Sequence, residues 1–145
     1  MIIEKITKKE LTDLQELYRG LCDDEKSLKE MEEVFEGICQ NKDYYLLGAK
    51  VEGRVVGTLM GIVGFDLAGK YKHFMTIENV IVDESYRGRG ICKKLFHAIE
   101  GIALERGCRY IYLVSGETRQ IAHQMYKRLG YDCDHVVGFR KYLRD

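Results

Sequence analysis

The sequence carries no net charge: its 145 residues include 23 basic and 23 acidic side chains. General binders of nucleic acid show a basic excess, so that class of function is disfavoured, although the balance still permits one local basic site. Proline and tryptophan are absent, and neither absence bears on function. No apolar run approaches the roughly 18 residues of a membrane span, and the charged start lacks the apolar core of a secretory signal. We therefore expect a cytoplasmic protein without membrane contact.

The five cysteines follow the pattern of neither a metal site nor a disulfide framework. None forms a CxxC pair or stands at metal-site spacing from a histidine, so we predict no metal. An odd number of cysteines in a chain of this size fits reduced intracellular thiols better than disulfide bonds. The cysteines are Cys22, Cys39, Cys92, Cys108 and Cys133.

Apolar spacing predicts one α/β domain spanning residues 1–145, without a linker or repeat. A strand, Ile2–Ile6, precedes two stretches with apolar residues at helical spacing, Leu11–Leu21 and Leu28–Ile38. Two apolar runs then meet at Glu52-Gly53-Arg54, which predicts a β-hairpin. The run "FMTIENVIV" follows as a further strand.

The second half of the chain predicts alternating helices and strands. Apolar residues at Ile91, Leu95, Ile99 and Ile102 give a helical stripe that should pack on a sheet, and "RYIYLVS" reads as a buried strand after it. Strand, helix and strand would form a right-handed βαβ unit. A last helix near 118–129 precedes "YDCDHVVGFRKYL", which should supply a final strand or two. We therefore predict a single mixed central sheet of about six to seven strands flanked by about four helices.

Two arginines and two glycines stand immediately before the predicted helix, in "YRGRGICKK". A helix N-terminus attracts anions, glycines let a phosphate oxygen approach the backbone, and arginines add charged donors. Arg87–Cys92 therefore predicts a site for a phosphorylated ligand. The alternative is a glycine turn with solvated arginines at a helix cap. The GxxxxGK[ST] and GxGxxG patterns are absent, so neither a P-loop nor a dinucleotide fold is supported.

Two sequence blocks, taken together, resemble a known family. Arg87 to Cys92 fits a [QR]-x-x-G-x-[GA] loop except at its last position. "RQIAHQMYKRLGY" fits N-x-x-A-x-x-x-Y-x-x-x-G-[FY] except at its first, with Ala122, Tyr126, Gly130 and Tyr131 in register. Both patterns are typical of the GNAT superfamily of acyl-coenzyme A-dependent N-acetyltransferases, which the sequence resembles from about Tyr45 onward. The first forty residues resemble it only in the order of their elements.

The resemblance implies the GNAT fold, with acetyl-CoA as cosubstrate and no metal. It further implies direct transfer of acetyl to a primary amine in a ternary complex. By that resemblance the cosubstrate contacts the backbone of one strand, the glycine loop and one helix start. Cys92 replaces the usual Gly or Ala and is expected to turn into the helix packing. Arg119 replaces a frequent Asn and is expected to serve the phosphate side. The cofactor-binding residues so predicted are Val80, Ile81, Val82, Arg87, Gly88, Arg89, Gly90, Ile91, Cys92 and Arg119.

Two residues are candidates for the proton transfers that acyl transfer to an amine requires. Glu78 is the only charged residue in "FMTIENVIV", and a lone carboxylate in such a strand fits a base that deprotonates the amine. The alternative is a strand-edge glutamate paired with a lysine or arginine. Tyr126 occupies the position of the tyrosine that, in this family, protonates the coenzyme A thiolate. Without the resemblance, it would be read as a core tyrosine.

The expected acceptor is a small molecule: an amino sugar, a polyamine, an amino acid derivative or an aminoglycoside-like amine. By the resemblance, residues about 18 to 45, the 65 to 73 loop and the C-terminal strands are expected to form its pocket. A peptide or protein N-terminus is the alternative acceptor. Two non-enzymatic alternatives also stay open, an acyl-CoA sensor that has lost catalysis and a nucleotide-binding interaction domain. Homodimers are common in the family, so a homodimer is compatible with the prediction.

Overall fold

The computed structural model describes residues 1–145 and contains five strands and four α-helices. The strands are β1 Ile2–Lys5, β2 Tyr44–Val51, β3 Arg54–Phe65, β4 His73–Val82 and β5 Cys108–Tyr112. The helices are α1 Leu11–Tyr18, α2 Leu28–Gln40, α3 Ile91–Glu105 and α4 Gln120–Arg128. The chain forms two compact units, Met1–Ile111 and Tyr112–Asp145, which are described separately.

One mixed sheet has the strand order β1-β2-β3-β4-β5, in which the pairs β1–β2, β2–β3 and β3–β4 are antiparallel. The hairpin between β2 and β3 turns at Glu52 and Gly53, whose φ angles are 50° and 81°. Positive φ at both turn residues matches the twist of the flanking strands, and Gly53 adopts it without a Cβ penalty. The α/β fold and this hairpin are confirmed.

The predicted count of six to seven strands is wrong, because the C-terminal segment after Gly130 contains no strand. Asp132 explains part of this difference. Its carboxylate accepts from the backbone N–H groups of Asp134 (2.9 Å) and His135 (3.3 Å), which folds the chain into a local turn. The strand expected to be buried also differs. It ends at Tyr112, and Tyr110 and Tyr112 are each 48% exposed because β5 is an outer strand of the sheet.

The core of the first unit has two layers, one on each face of the sheet. We call the face covered by α1 and α2 the front and the face covered by α3 the back. The back layer contains the buried residues Ile91, Leu95, Phe96, Ile99 and Ala103 of α3, which confirms most of the predicted stripe. The close approach of α3 to β3 depends on Gly61, where a Cβ would lie 2.7 Å from a methyl group of Ile99. The front layer includes Leu11, Leu14, Leu17, Met31, Phe35, Leu46, Val55 and Ile81.

A first β-bulge lies in β3. Ala49 is opposite Gly57 and Lys50 is opposite Val55, so Val56 is an extra residue in the ladder. The N–H of Val55 donates instead to a carboxylate oxygen of Asp13 in α1, at 3.0 Å. The bulge and this bond together attach the start of β3 to α1.

A second bulge lies in β4. Glu78 is opposite Met60 and Ile81 is opposite Thr58, which leaves Asn79 and Val80 facing a single residue of β3. Asn79 has a φ of 55°, in the left-handed region. Successive side chains of a strand alternate between the two faces of the sheet, so the extra residue moves each later side chain to the opposite face. Met75 packs beside Ile99 on the back, whereas Ile81 belongs to the front layer.

The second unit consists of α4 and the segments around it. Tyr126 is the buried residue of this helix. Gly130, at a φ of 92°, ends the helix, and the N–H of Tyr131 returns to the carbonyl of Tyr126 at 3.0 Å. Neither α4 nor any other helix combines the length and the apolar character that crossing a membrane requires.

Candidate functional site

The loop between β4 and α3 is an ordered turn followed by two glycines. A carboxylate oxygen of Asp83 accepts from the backbone N–H (2.9 Å) and the hydroxyl (2.6 Å) of Ser85. These bonds, with the charges of Arg54 and Arg87, lower the pKa of Asp83. Gly88 and Gly90 both have a φ of 76°, and no atom lies within 4 Å of the position a Cβ would take at either. The glycines therefore leave an open, backbone-lined cradle.

Two lysines add positive charge to the start of α3, where the backbone of the helix is already partly positive. In the first backbone hydrogen bond of the helix, the N–H of Lys94 donates to the carbonyl of Gly90 at 3.1 Å. The N–H groups of a first helical turn lack intrahelical acceptors and create a partial positive charge, which acidic side chains usually offset. Here the first turn has no acidic residue, and Lys93 and Lys94 are exposed beside it. Sequence reasoning missed both lysines, although they follow the predicted loop directly. The arrangement attracts an anion.

The two loop arginines are exposed and contact the loop itself. Arg87 Nε donates to the carbonyl of Val82 at 3.2 Å, and Arg89 Nη2 donates to the carbonyl of Ser85 at 3.1 Å. The Arg89 guanidinium also lies 4.9 Å from the ring centre of Tyr86. Because a guanidinium has five N–H donors, each arginine retains others that can bind a phosphate. Cys92, the departure from the usual loop, is partly buried in the first turn of α3.

Glu78 and Asn79 are exposed at the bulge of β4. Glu78 forms no salt bridge with a lysine or arginine, so the paired glutamate considered as its alternative is not present. A cavity of about 220 Å³ opens on the front face, between α1, α2 and the sheet, and its wall includes Asn79 but not Glu78. Met60 and Asn79 line it on the sheet side. A carboxylate, an interrupted strand and a cavity of small-molecule size thus occur together.

The remaining two predicted site residues lie in the second unit. Tyr126 is 8% exposed, and its ring centre is 6.4 Å from that of Tyr131 in an edge-to-face arrangement. Arg119 is the N-cap residue of α4, and its side chain is exposed. The other predicted site residues, Glu78, residues 80–82 and the glycine loop, follow one another along the chain within the first unit. No group of three or more His, Cys, Asp or Glu side chains is placed to hold a metal ion.

Comparison with known proteins finds a matching family and solved structures with the same fold. A family model described as acetyltransferase (GNAT) family matches residues 11–131. An acetyltransferase of Trypanosoma brucei is 23% identical with a TM-score of 0.83, over 98% of this chain and 99% of that one. Glucosamine-6-phosphate N-acetyltransferase of Arabidopsis thaliana is 20% identical with a TM-score of 0.86, over 99% and 98%. An aminoglycoside 6'-N-acetyltransferase of Acinetobacter haemolyticus is 21% identical with a TM-score of 0.78, over 99% and 100%. These three structures share its fold.

Proposed function

Since the chain belongs to the GNAT family of acetyltransferases, we propose that it transfers acetyl from acetyl-CoA directly to a primary amine of a small molecule. The enzyme class, an acyl-CoA-dependent N-acetyltransferase, follows from the family. The acceptor and the direct transfer are our proposal. The observation that carries it is the position of Glu78, an exposed carboxylate at the β4 bulge beside a cavity of about 220 Å³.

The glycine loop fits the diphosphate of coenzyme A. The open cradle at Gly88 and Gly90 would accept phosphate oxygens that a side chain would block. The start of α3, Arg87, Arg89, Lys93 and Lys94 would supply the positive charge. Backbone groups of Val80, Ile81 and Val82 would bind the pantetheine arm and polarise the thioester carbonyl, and Arg119 would bind on the phosphate side. When bound, acetyl-CoA supplies the activated thioester.

Glu78 is proposed as the general base. An alkylamine with a pKa near ~10 is mostly protonated at neutral pH, so it must lose a proton before it can attack a carbonyl. The Glu78 carboxylate, open to the cavity side of β4, would accept that proton directly or through a water molecule.

Tyr126 is proposed as the general acid. Its hydroxyl would donate a proton to the sulfur of the leaving thiolate, which lowers the barrier to cleavage of the carbon–sulfur bond. Burial of Tyr126 in its own unit supports this role, because a buried ring holds its hydroxyl in one orientation.

A mass-spectrometric screen tests the proposal. Purified protein and acetyl-CoA are incubated with a panel of amines that includes amino sugars, polyamines, amino acid derivatives, alkylamines and short peptides. Mass detection avoids thiol reagents, which would react with the five cysteines. We expect acetylation of one class of small amines. Acetylation confined to peptide N-termini would point to a protein acceptor instead. Binding of acetyl-CoA without turnover of any amine would indicate a sensor.

A further inference from the structure

The front cavity lies where an acceptor would have to reach the bulge. It is enclosed by α1, α2 and the segment 19–26 between them, with Met60 and Asn79 on its sheet side. Met60 is directly opposite Glu78 in the ladder. A molecule that fills the cavity would therefore have one end at Met60, the residue paired with the proposed base.

The cavity wall is mainly apolar. It includes Leu14, Met31, Val34, Phe35, Ile38 and Leu46. Met31 and Phe35 belong to the buried front layer of the core, while Val34 is 51% exposed at the edge of α2. A wall of this kind binds hydrocarbon by removing it from water and gives hydroxyl groups few partners.

Three polar side chains of the wall, Gln15, Arg19 and Glu25, are already hydrogen-bonded within it. Both Arg19 Nε (3.0 Å) and Nη2 (2.8 Å) donate to Glu25, and Gln15 Nε2 donates to the carbonyl of Lys26 at 2.9 Å. The charged wall residues, Arg19, Lys26, Asp24 and Glu25, balance to zero. The wall therefore offers neither the acidic surface that a polycation needs nor the basic surface that a sugar phosphate needs.

Tyr18 adds a neutral surface to the wall. Burial, partly offset by a hydrogen bond with Thr58, raises the pKa of its hydroxyl to about 12, so it stays uncharged at physiological pH. The size of the cavity is also informative. A dry apolar cavity of about 150 Å³ in another protein binds benzene, and the present volume of about 220 Å³ admits a ring with a short chain.

We propose that this cavity receives the uncharged apolar body of the acceptor, so that the substrate is a primary amine on an aryl-alkyl or short alkyl chain. The inference rests on the proposed function, because it assigns the acceptor of that same site. It excludes amino sugars, aminoglycosides and polyamines as preferred acceptors, although two of the structures that share the fold belong to enzymes of sugar-like amines.

A homologous series of amines tests the inference. Propylamine through hexylamine, and phenylethylamine, share a head group and differ only in apolar surface. We expect kcat/KM to rise by about three- to fourfold for each added methylene until the cavity is filled. We expect glucosamine and spermidine to fall below propylamine. A flat series, or a preference for glucosamine or spermidine, would overturn the inference and leave the proposed acetyltransferase function intact.

A charged residue in the wall gives a second test. Val34→Glu places a carboxylate at the cavity edge, on a half-exposed position where the fold tolerates it. We expect a loss of tenfold or more in kcat/KM for hexylamine, mostly through KM, with little change for propylamine. The matched control is Leu104→Glu, on a 77% exposed residue of α3 that does not line the cavity. Equal losses for both amines would contradict an apolar contact.

Binding measured without catalysis separates the two proposals. Met31 and Met60 both line the cavity, so their methyl resonances report its occupancy in methionine-labelled protein. We expect phenylethylamine to shift both resonances and glucosamine to shift neither. If phenylethylamine shifts them but no amine is acetylated, the proposed function fails and the cavity assignment stands. If it leaves both unchanged, the inference is wrong whatever the screen shows.

Discussion

Met60 of β3 and Glu78 of β4 are directly opposed across the sheet. Side chains of opposed residues emerge on the same face, and Met60 packs on the front layer, so Glu78 also projects to the front. The next residue, Asn79, turns the strand through a left-handed conformation and lines the same cavity. Regular pairing with Met60 therefore turns the Glu78 carboxylate toward the front face, and the bulge that follows brings Asn79 into the cavity wall.

This position predicts how Glu78→Gln alters activity. The substitution preserves the shape of the side chain but removes the base, so we expect kcat/KM for the preferred amine to fall by about a hundredfold or more at neutral pH. The deficit should shrink as pH approaches the amine pKa near ~10, because the amine then loses its proton without help. Steady-state rates over this pH range measure the effect.

Glu105→Gln, on an exposed residue near the end of α3, is the control for charge loss in general. A deficit for Glu78→Gln that stayed constant with pH would indicate that Glu78 positions the substrate instead.

Tyr126→Phe tests the proposed general acid, because it removes the hydroxyl and keeps the ring. We expect a loss of at least tenfold in kcat. Unchanged turnover in that variant would remove Tyr126 from the acid role.

The glycine cradle is tested by a matched pair of substitutions. Gly88 and Gly53 have φ angles of 76° and 81°, and neither has an atom within 4 Å of the position for a Cβ. Alanine at either position should cost about 1–2 kcal/mol of stability, because an L-residue is strained there. Only Gly88→Ala should also weaken acetyl-CoA binding, by tenfold or more in calorimetry. Equal affinity in the two variants would mean that the loop does not bind the cosubstrate.

Local chemistry made much of the fold predictable from the sequence. The hairpin required residues that tolerate positive φ, and Glu52-Gly53 supplied them between two apolar runs. The back helix required an apolar stripe with helical spacing, and Ile91, Leu95 and Ile99 supplied it. The glycines and arginines before the same helix predicted an anion site, because the fold alone does not require both residue types there.

Features that depend on pairing between distant residues could not be predicted in the same way. The bulges at Val56 and Asn79 arise from the register between strands. Val56 gives no sequence signal of a bulge, whereas asparagine at position 79 tolerates the left-handed region and gives a weak one. The cavity combines side chains from α1, the segment 19–26, α2 and strands β2, β3 and β4, which meet only in the folded chain. The C-terminal segment has strand-like residues, but the side chain of Asp132 stabilises a local turn instead.

The bulge in β3 predicts a stabilising role for Asp13. Its carboxylate accepts the N–H of Val55 at 3.0 Å, a donor that the bulge leaves without a strand partner. Asp13→Ala should lower the free energy of unfolding by about 1–3 kcal/mol, because a partly buried N–H then loses a charged acceptor. Glu16→Ala on the same helix removes an exposed ion pair with Arg54 and should cost about 0–1 kcal/mol. Urea unfolding of both variants measures the difference, and equal losses would contradict this role.

The ion pair between Arg106 and Asp43 predicts a pH dependence of stability. Arg106, which follows α3, donates to the Asp43 carboxylate at 2.5 Å and to the Tyr45 hydroxyl at 2.6 Å. The hydrogen bond from Arg106 lowers the pKa of Asp43 against an opposing effect of burial, and the charge of Arg106 lowers it further. The folded-state pKa thus lies below the unfolded value of about 3.9. The stability that the pair contributes is full above that value and is lost as pH falls through the lower, folded pKa.

Asp43→Asn should therefore be less stable than the wild type at neutral pH, and the two should converge in acid. The midpoint of urea unfolding, measured from about pH 7 down to about pH 2, gives the comparison. Asp23→Asn, which removes an exposed carboxylate outside any salt bridge, should track the wild type throughout. A difference for Asp43→Asn that persisted at the lowest pH would show that the shape of the side chain, rather than its charge, joins β2 to the end of α3.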